Sequence, residues 1–169
     1  MKTDVQTKNC ILTADVVKRK LRRMAFEIAE NNIDAESLVI AGINGNGVVV
    51  ARNLSSALQQ VISVQVELVT VQINKKQVLE VSVDHQFEFN DKTIILVDDV
   101  ANTGKTMLYA VRPFLAFAPK KIQTLVLVER SHKQFPILID YVGLSISTTL
   151  QEHIVVEVED EGITGAYLI

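Results

Sequence analysis

A single cysteine, Cys10, among 169 residues excludes a disulfide framework and any metal site built from several thiolates. No apolar run reaches the roughly 20 residues that a helix needs to cross a bilayer. The polar start Met1-Lys2-Thr3-Asp4 lacks the apolar stretch of a signal peptide, so a cytoplasmic location with no membrane partner is expected. Neither charge dominates: 17 Lys and Arg against 20 Asp and Glu leave a formal net charge of −3. That balance argues against wholesale nucleic-acid binding and leaves room for a local basic patch. Repeats, low-complexity tracts and linkers are absent, and only three prolines occur. One globular domain over residues 1–169 is the expected organisation. At this length a chain hides roughly 70% of its unfolded surface, and with 48% hydrophobic residues its core needs no disulfide or zinc.

What is present is an alternation of helical and strand patterns. From Thr13 to Asn32, Val17, Leu21, Met24 and Ile28 recur at helical spacing, while Lys18, Arg19, Lys20, Arg22 and Arg23 fill the other faces. A short apolar run, Ser37 to Ile43, leads into a glycine-rich turn, Ile43-Asn44-Gly45-Asn46-Gly47, and a second helical stretch from about Val48 to Gln60. Val64 to Ile73 has strand character. The polar, poorly periodic segment at about 74–90 is expected to form a projecting hairpin or mobile flap. Thr93 to Val97 is wholly apolar after its first residue, as in a strand covered on both faces. A helix is expected from Met107 to Phe117, kinked at Pro113, with further strands at Ile122–Val128, Tyr141–Leu144 and Ile154–Val158. This order predicts an α/β fold, a mostly parallel twisted sheet with helices on both faces.

In such sheets ligands bind beyond the carboxyl ends of the strands, where Asp98-Asp99-Val100-Ala101-Asn102-Thr103-Gly104-Lys105-Thr106 falls. Adjacent carboxylates suit vicinal hydroxyls or a hydrated divalent cation. Thr103, Gly104 and Thr106 then offer hydroxyls, a tight bend and backbone N–H groups at a helix start, which suit a phosphate. An acid pair followed by a phosphate cradle describes a sugar-phosphate site. A nucleotide-binding P-loop would need glycine at position 99, which is Asp99. A receiver domain would need more chain after residue 98 for its remaining β-α units. Gly45-Asn46-Gly47 followed by Val50 is a poor dinucleotide fingerprint, although Glu67 falls near the place of a ribose-binding acid. The plainer alternative is that the acids end a strand and Asn102 or Thr103 caps a helix; crowding two carboxylates without a partner is costly, which favours the site.

Val97 to Thr106 resembles the phosphoribosyl-pyrophosphate (PRPP) motif of type I phosphoribosyltransferases. Leu127-Val128-Glu129-Arg130-Ser131-His132, Pro136-Ile137 and Asp140-Tyr141-Val142-Gly143 are similar to a segment of the bifunctional pyrimidine-operon attenuators that are also uracil phosphoribosyltransferases. The likeness runs over roughly residues 11–159. It implies the type I phosphoribosyltransferase fold with a small flap or hood. It implies ribose hydroxyls on Asp98 and Asp99, the 5′-phosphate on the loop from Ala101 to Thr106, with Val100 between them, and pyrophosphate facing Ile43 to Gly47. The implied reaction is displacement of pyrophosphate from PRPP by a ring nitrogen of a nucleobase, uracil favoured and purines open, with Mg2+ helping to neutralise the leaving group. The family also implies homo-oligomers and, for its attenuators, a nucleotide-sensing regulator that binds RNA, here through Lys18, Arg19, Arg22 and Arg23.

Two departures stand out. Relatives usually carry arginine in the pyrophosphate turn, where this chain has Asn46, and the flap lacks arginine, leaving Lys75 and Lys76. Asp99, Lys75 and Arg130 are therefore the candidates for assisting catalysis, with activity that is weak, altered in substrate or lost while the ligand site survives. His132 follows Arg130 at the carboxyl end of the same expected strand, where a nucleotide would sit. His85 and His153 lack a partner at ligand spacing, and Cys10 lacks an activating histidine.

Overall fold

The computed structural model describes residues 8–74, 76–77, 80–85 and 87–169; Lys75 lies outside them. The elements in chain order are β1 (Asn9–Thr13), α1 (Ala14–Asn31), β2 (Ser37–Ile43), α2 (Asn46–Gln59), β3 (Gln65–Ile73), β4 (Val81–Asp84), β5 (Thr93–Ala101), α3 (Lys105–Ala110), a short 3-10 helix (Arg112–Ala116), β6 (Lys121–Arg130), β7 (Tyr141–Ile146), β8 (Ile154–Glu159) and β9 (Gly162–Leu168).

The main sheet has the order β4-β3-β2-β5-β6-β7. β3, β2, β5, β6 and β7 run parallel, and β4 returns antiparallel on the edge of β3. The central strands β2 and β5 are apolar and buried along most of their length because both faces are covered. On one face, α1 and α2 bury Leu21, Met24, Ile28, Val50, Leu54 and Leu58 against the sheet. On the other, α3 and the 3-10 helix contribute Met107, Ala110 and Phe114. Thr13 starts α1, its Oγ1 accepting from the Val16 N–H at 3.4 Å. Pro113 has no N–H to continue a helix, and the expected helix to Phe117 divides there into α3 and the 3-10 turn.

β1, β9 and β8 form a second, antiparallel sheet. The acidic residues Glu157, Glu159, Asp160 and Glu161 are thus a β-hairpin and its turn rather than a tail. The hairpin leans on α2, where Arg52 meets Glu161 at 3.2 Å and the Asn53 amide donates to the Glu161 carbonyl at 2.9 Å.

The expected flap at 74–90 divides in two. Val81 to Asp84 is paired to β3 from Ile73 back to Thr70, and Phe89 is fully buried against Phe114 and Phe117. In the connection between β3 and β4, the Gln77 N–H donates to the Asn74 carbonyl at 3.0 Å. No helix among the described residues is long and apolar enough to cross a membrane.

Candidate active site at the head of the sheet

From β2 the chain moves outward to β3, and from β5 it moves the other way to β6 and β7. The gap between the carboxyl ends of β2 and β5 is therefore the switch point at which a parallel sheet opens a crevice. Two strand-turn-helix connections flank it, the turn from Ile43 to Gly47 and the loop from Asp98 to Thr106.

They meet closely. A Cβ added to Gly47 would lie 2.8 Å from Asp98 Oδ1 and 3.1 Å from the Val97 carbonyl, so only glycine lets α2 begin this near the acid pair. Asp98 is 3% exposed, and its Oδ1 accepts from the Asp99 N–H at 2.9 Å. Asp99 is half-buried; its Oδ1 accepts from the Val100 N–H at 2.8 Å and its Oδ2 from the Asn46 amide at 3.0 Å. The same amide donates to the Val156 carbonyl of β8 at 2.9 Å. Both partners are pure acceptors, which fixes which end of the Asn46 amide is nitrogen. Asn44 turns to the other side, its Oδ1 accepting from the Ile73 N–H at 3.1 Å.

Beyond the acids, the loop is held from outside. Gly104 has φ 84°, and a Cβ there would sit 2.7 Å from Ile137 Cγ2. The Thr103 carbonyl accepts from the N–H groups of Gln134 at 2.9 Å and Phe135 at 3.1 Å, while Thr103 Oγ1 accepts from the Lys105 N–H at 3.3 Å. Asp98, Val100, Ala101, Asn102, Thr103, Gly104, Lys105, Thr106 and Met107 line a small hollow of about 60 Å³. The backbone from Ala101 to Thr106 bends around this concavity.

Arg130 stands at the end of β6 and ties this loop to the segment after β7, donating to Asn102 Oδ1 at 3.0 Å and to the Thr149 carbonyl at 2.5 Å. Spacing alone could not show that role. Val100, Asn102, Arg130, Thr148, Glu152, His153 and Ile154 enclose an adjoining cavity of about 50 Å³. Glu152 accepts from the Thr149 N–H at 2.6 Å, and that bond, with Arg130 nearby, holds its carboxyl below the usual range. Thr148 and Glu152 lie in an irregular stretch whose sequence gives no sign of this placement.

Other expectations do not converge here. Glu67 pairs with Lys92 at 3.7 Å, and Lys92 precedes β5. It therefore sits away from the carboxyl ends, which removes the dinucleotide arrangement. His132 is exposed on the loop after β6, and Lys76 is exposed beyond β3. On α1, Lys18, Arg19 and Arg22 face solvent. Arg23 departs from that stripe: its guanidinium donates to Glu27 at 2.5 Å and to the Val142 carbonyl of β7 at 2.7 Å, so it secures the sheet edge.

The switch point of this mostly parallel sheet thus carries an acid pair and, directly after it, a loop bent around a hollow. The chain belongs to the phosphoribosyl transferase domain family, whose match spans residues 9–161. It is 37% identical over 147 residues to a protein named "Bifunctional protein PyrR" from Streptococcus uberis, covering 84% of this chain and 85% of that relative. A protein of the same name from Bacillus cereus strain AH820 is 32% identical over 168 residues, covering 92% of this chain and 93% of its own length. Among solved structures, hypoxanthine phosphoribosyltransferase from Trypanosoma cruzi in complex with the product IMP aligns with a TM-score of 0.79 at 16% identity, covering 98% of this chain and 86% of that one. A hypoxanthine-guanine phosphoribosyltransferase from Bacillus anthracis aligns with a TM-score of 0.72 at 19% identity, covering 89% and 88%. At those identities the structural likeness speaks for the fold.

Proposed function

We propose that this protein transfers the ribose 5-phosphate group of PRPP to a nucleobase, uracil in preference to a purine, with release of pyrophosphate. The observation that carries the reading is the succession, within one loop at the switch point, of an acid pair, Asp98 buried and Asp99 half-buried, and a hollow bent around Gly104. Asp98 and Asp99 accept from the vicinal ribose hydroxyls, and the N–H groups and hydroxyls from Ala101 to Thr106 receive the 5′-phosphate. These two holds fix C1′ in front of the turn from Ile43 to Gly47. A ring nitrogen of the base then attacks C1′ as the bond to pyrophosphate breaks, and positioning accounts for much of the rate. Arg130 acts through Asn102 by holding the loop's shape.

The Asp99 carboxylate and the Asn46 carbonyl are hard oxygen donors, which fit a hydrated Mg2+. Among the described residues no group of three or more metal-ligating side chains occurs, so such an ion would be held jointly with the substrate's phosphates. Bound there, Mg2+ supplies neutralisation of the leaving pyrophosphate. Pyrophosphate release from Mg2+ and PRPP, assayed with uracil, hypoxanthine, guanine and adenine in turn, tests the reading. Release with uracil above the others is the expected result, and release with none of the four overturns it.

A second reading, an RNA-binding regulator that senses nucleotide, draws on the exposed Lys18, Arg19 and Arg22 of α1 and on the tie of the acidic turn residue Glu161 to Arg52 and Asn53 of α2. RNA affinity that falls steeply with salt, and falls again when Arg19 and Arg22 are neutralised, supports it; no binding at low salt dismisses it.

A further inference from the structure

The amide of Asn46 has two N–H groups, and both are spent inside the protein, one on Asp99 Oδ2 and one on the Val156 carbonyl. What it has left is an oxygen, which can accept from a metal-bound water but cannot donate to a phosphate. The turn's other amide, Asn44, is committed toward β3 through Ile73, and the turn contains no cation. Against a leaving group that carries several negative charges, the turn offers only the backbone N–H groups at the start of α2. The same hydrogen bonds do something for the other half of the site: they steady the carboxylate of Asp99 and pin the turn to β8. Resting on the transferase reading for where ribose and 5′-phosphate sit, we infer that Asn46 is a latch that strengthens the ribose 5-phosphate half of this site at the expense of the pyrophosphate half. The ligand class the resting site favours is then a nucleoside 5′-monophosphate, which presents the ribose and the phosphate and asks nothing of the turn.

Charge-assisted hydrogen bonds to a phosphate raise affinity by roughly 10- to 100-fold, and this is the gain PRPP forgoes here. Calorimetric titration of the wild-type protein with ribose 5-phosphate and, separately, with PRPP, both in saturating Mg2+, reads the difference directly. The expected result is that PRPP binds within about threefold of ribose 5-phosphate, and that Asn46→Arg raises the preference for PRPP over ribose 5-phosphate by about tenfold or more while weakening ribose 5-phosphate itself, because Asp99 loses the amide that steadies it. A wild-type preference for PRPP above about tenfold overturns the inference and leaves the transferase reading standing, because some other group, such as a flap lysine, would then be gripping pyrophosphate. An unmoved ratio in a folded Asn46→Arg variant overturns it too. Binding of neither compound would sink the assignment of the ribose 5-phosphate site, and the inference with it. The wild-type comparison decides even where the variant fails to fold.

Discussion

The two turns that flank the crevice share one local grammar and use it differently. Each follows a buried parallel strand, each places a glycine at positive φ, Gly45 at 89° and Gly104 at 84°, and each opens a helix. Around Gly45 there is open space, with nothing within 4 Å of an added Cβ, whereas Gly104 is pressed against Ile137. The first turn is fastened by a side chain, Asn46, whose donors face inward. The second is fastened by its backbone, through the Thr103 carbonyl, and by Arg130 on the Asn102 side chain, and it keeps the hydroxyls of Thr103 and Thr106 beside its hollow. A turn fastened by its side chains has fewer of them to offer a ligand, and one fastened by main chain keeps them.

Substituting each glycine by alanine should separate the two turns most sharply. Gly104→Ala combines left-handed strain at φ 84° and ψ −5° with overlap on Ile137 and is expected to lose about 2–4 kcal/mol of stability, while Gly45→Ala, at φ 89° and ψ −138° where glycine alone is at ease, meets no neighbour and loses about 1–3 kcal/mol from strain alone. Chemical denaturation of both variants checks this, and equal losses would mean that the loop after β6 yields freely. Next in size is the acid pair: Asp98→Asn together with Asp99→Asn is expected to weaken PRPP binding by about tenfold or more with the fold retained. Calorimetry paired with a circular dichroism melt reads both parts, and unchanged affinity would remove the ribose from this place. Arg130→Ala unties Asn102 without touching the hollow itself, and a loss of roughly three- to tenfold in affinity is expected for ribose 5-phosphate and PRPP alike. A selective loss for one of the two would show instead that Arg130 reaches the ligand.

The smallest effect concerns Glu152. The Thr149 N–H and the Arg130 charge depress its carboxyl below the ordinary value of 4.5. The stabilisation it gives the segment after β7 is therefore complete above that value and fades as pH falls through the lower, folded-state one. Because the group is only partly buried the change is slight, and hydrogen exchange at the Thr149 N–H between pH 6 and pH 3 is the measurement that isolates it; the same protection at both ends would refute the coupling.

How much of this could be read from sequence depended on how local the cause was. β2 is found at Ser37–Ile43 as expected, because a strand covered on both faces announces itself as an apolar run. The acid pair and Gly104 were legible for a similar reason: their residue types suffice to define their chemistry. β1, β4 and β9 left no such trace. They are short, half-exposed and stabilised by partners far along the chain, as when Asn9 pairs with Leu168. The projecting segment was expected to run to residue 90, because a stretch of mixed polarity conceals the buried anchor Phe89. Asn46 was legible as an unusual residue in its turn but not as a latch, since Val156 lies 110 positions away. Arg23 carried the same ambiguity, a basic residue in a basic stripe whose target is the backbone of β7.

The pairing of β1 with β9 also orders events in time. A chain that folds as it is made can pair β2 with β5, and open the crevice between them, once the residues up to Ala101 have been made. The three-stranded sheet has to wait, since β1 finds no partner until residues 162–168 exist, and closing so long a loop is slow. The contact from Asn46 to Val156 belongs to that late step. A newly made molecule accordingly possesses its phosphate hollow before it possesses the fastening of its other turn.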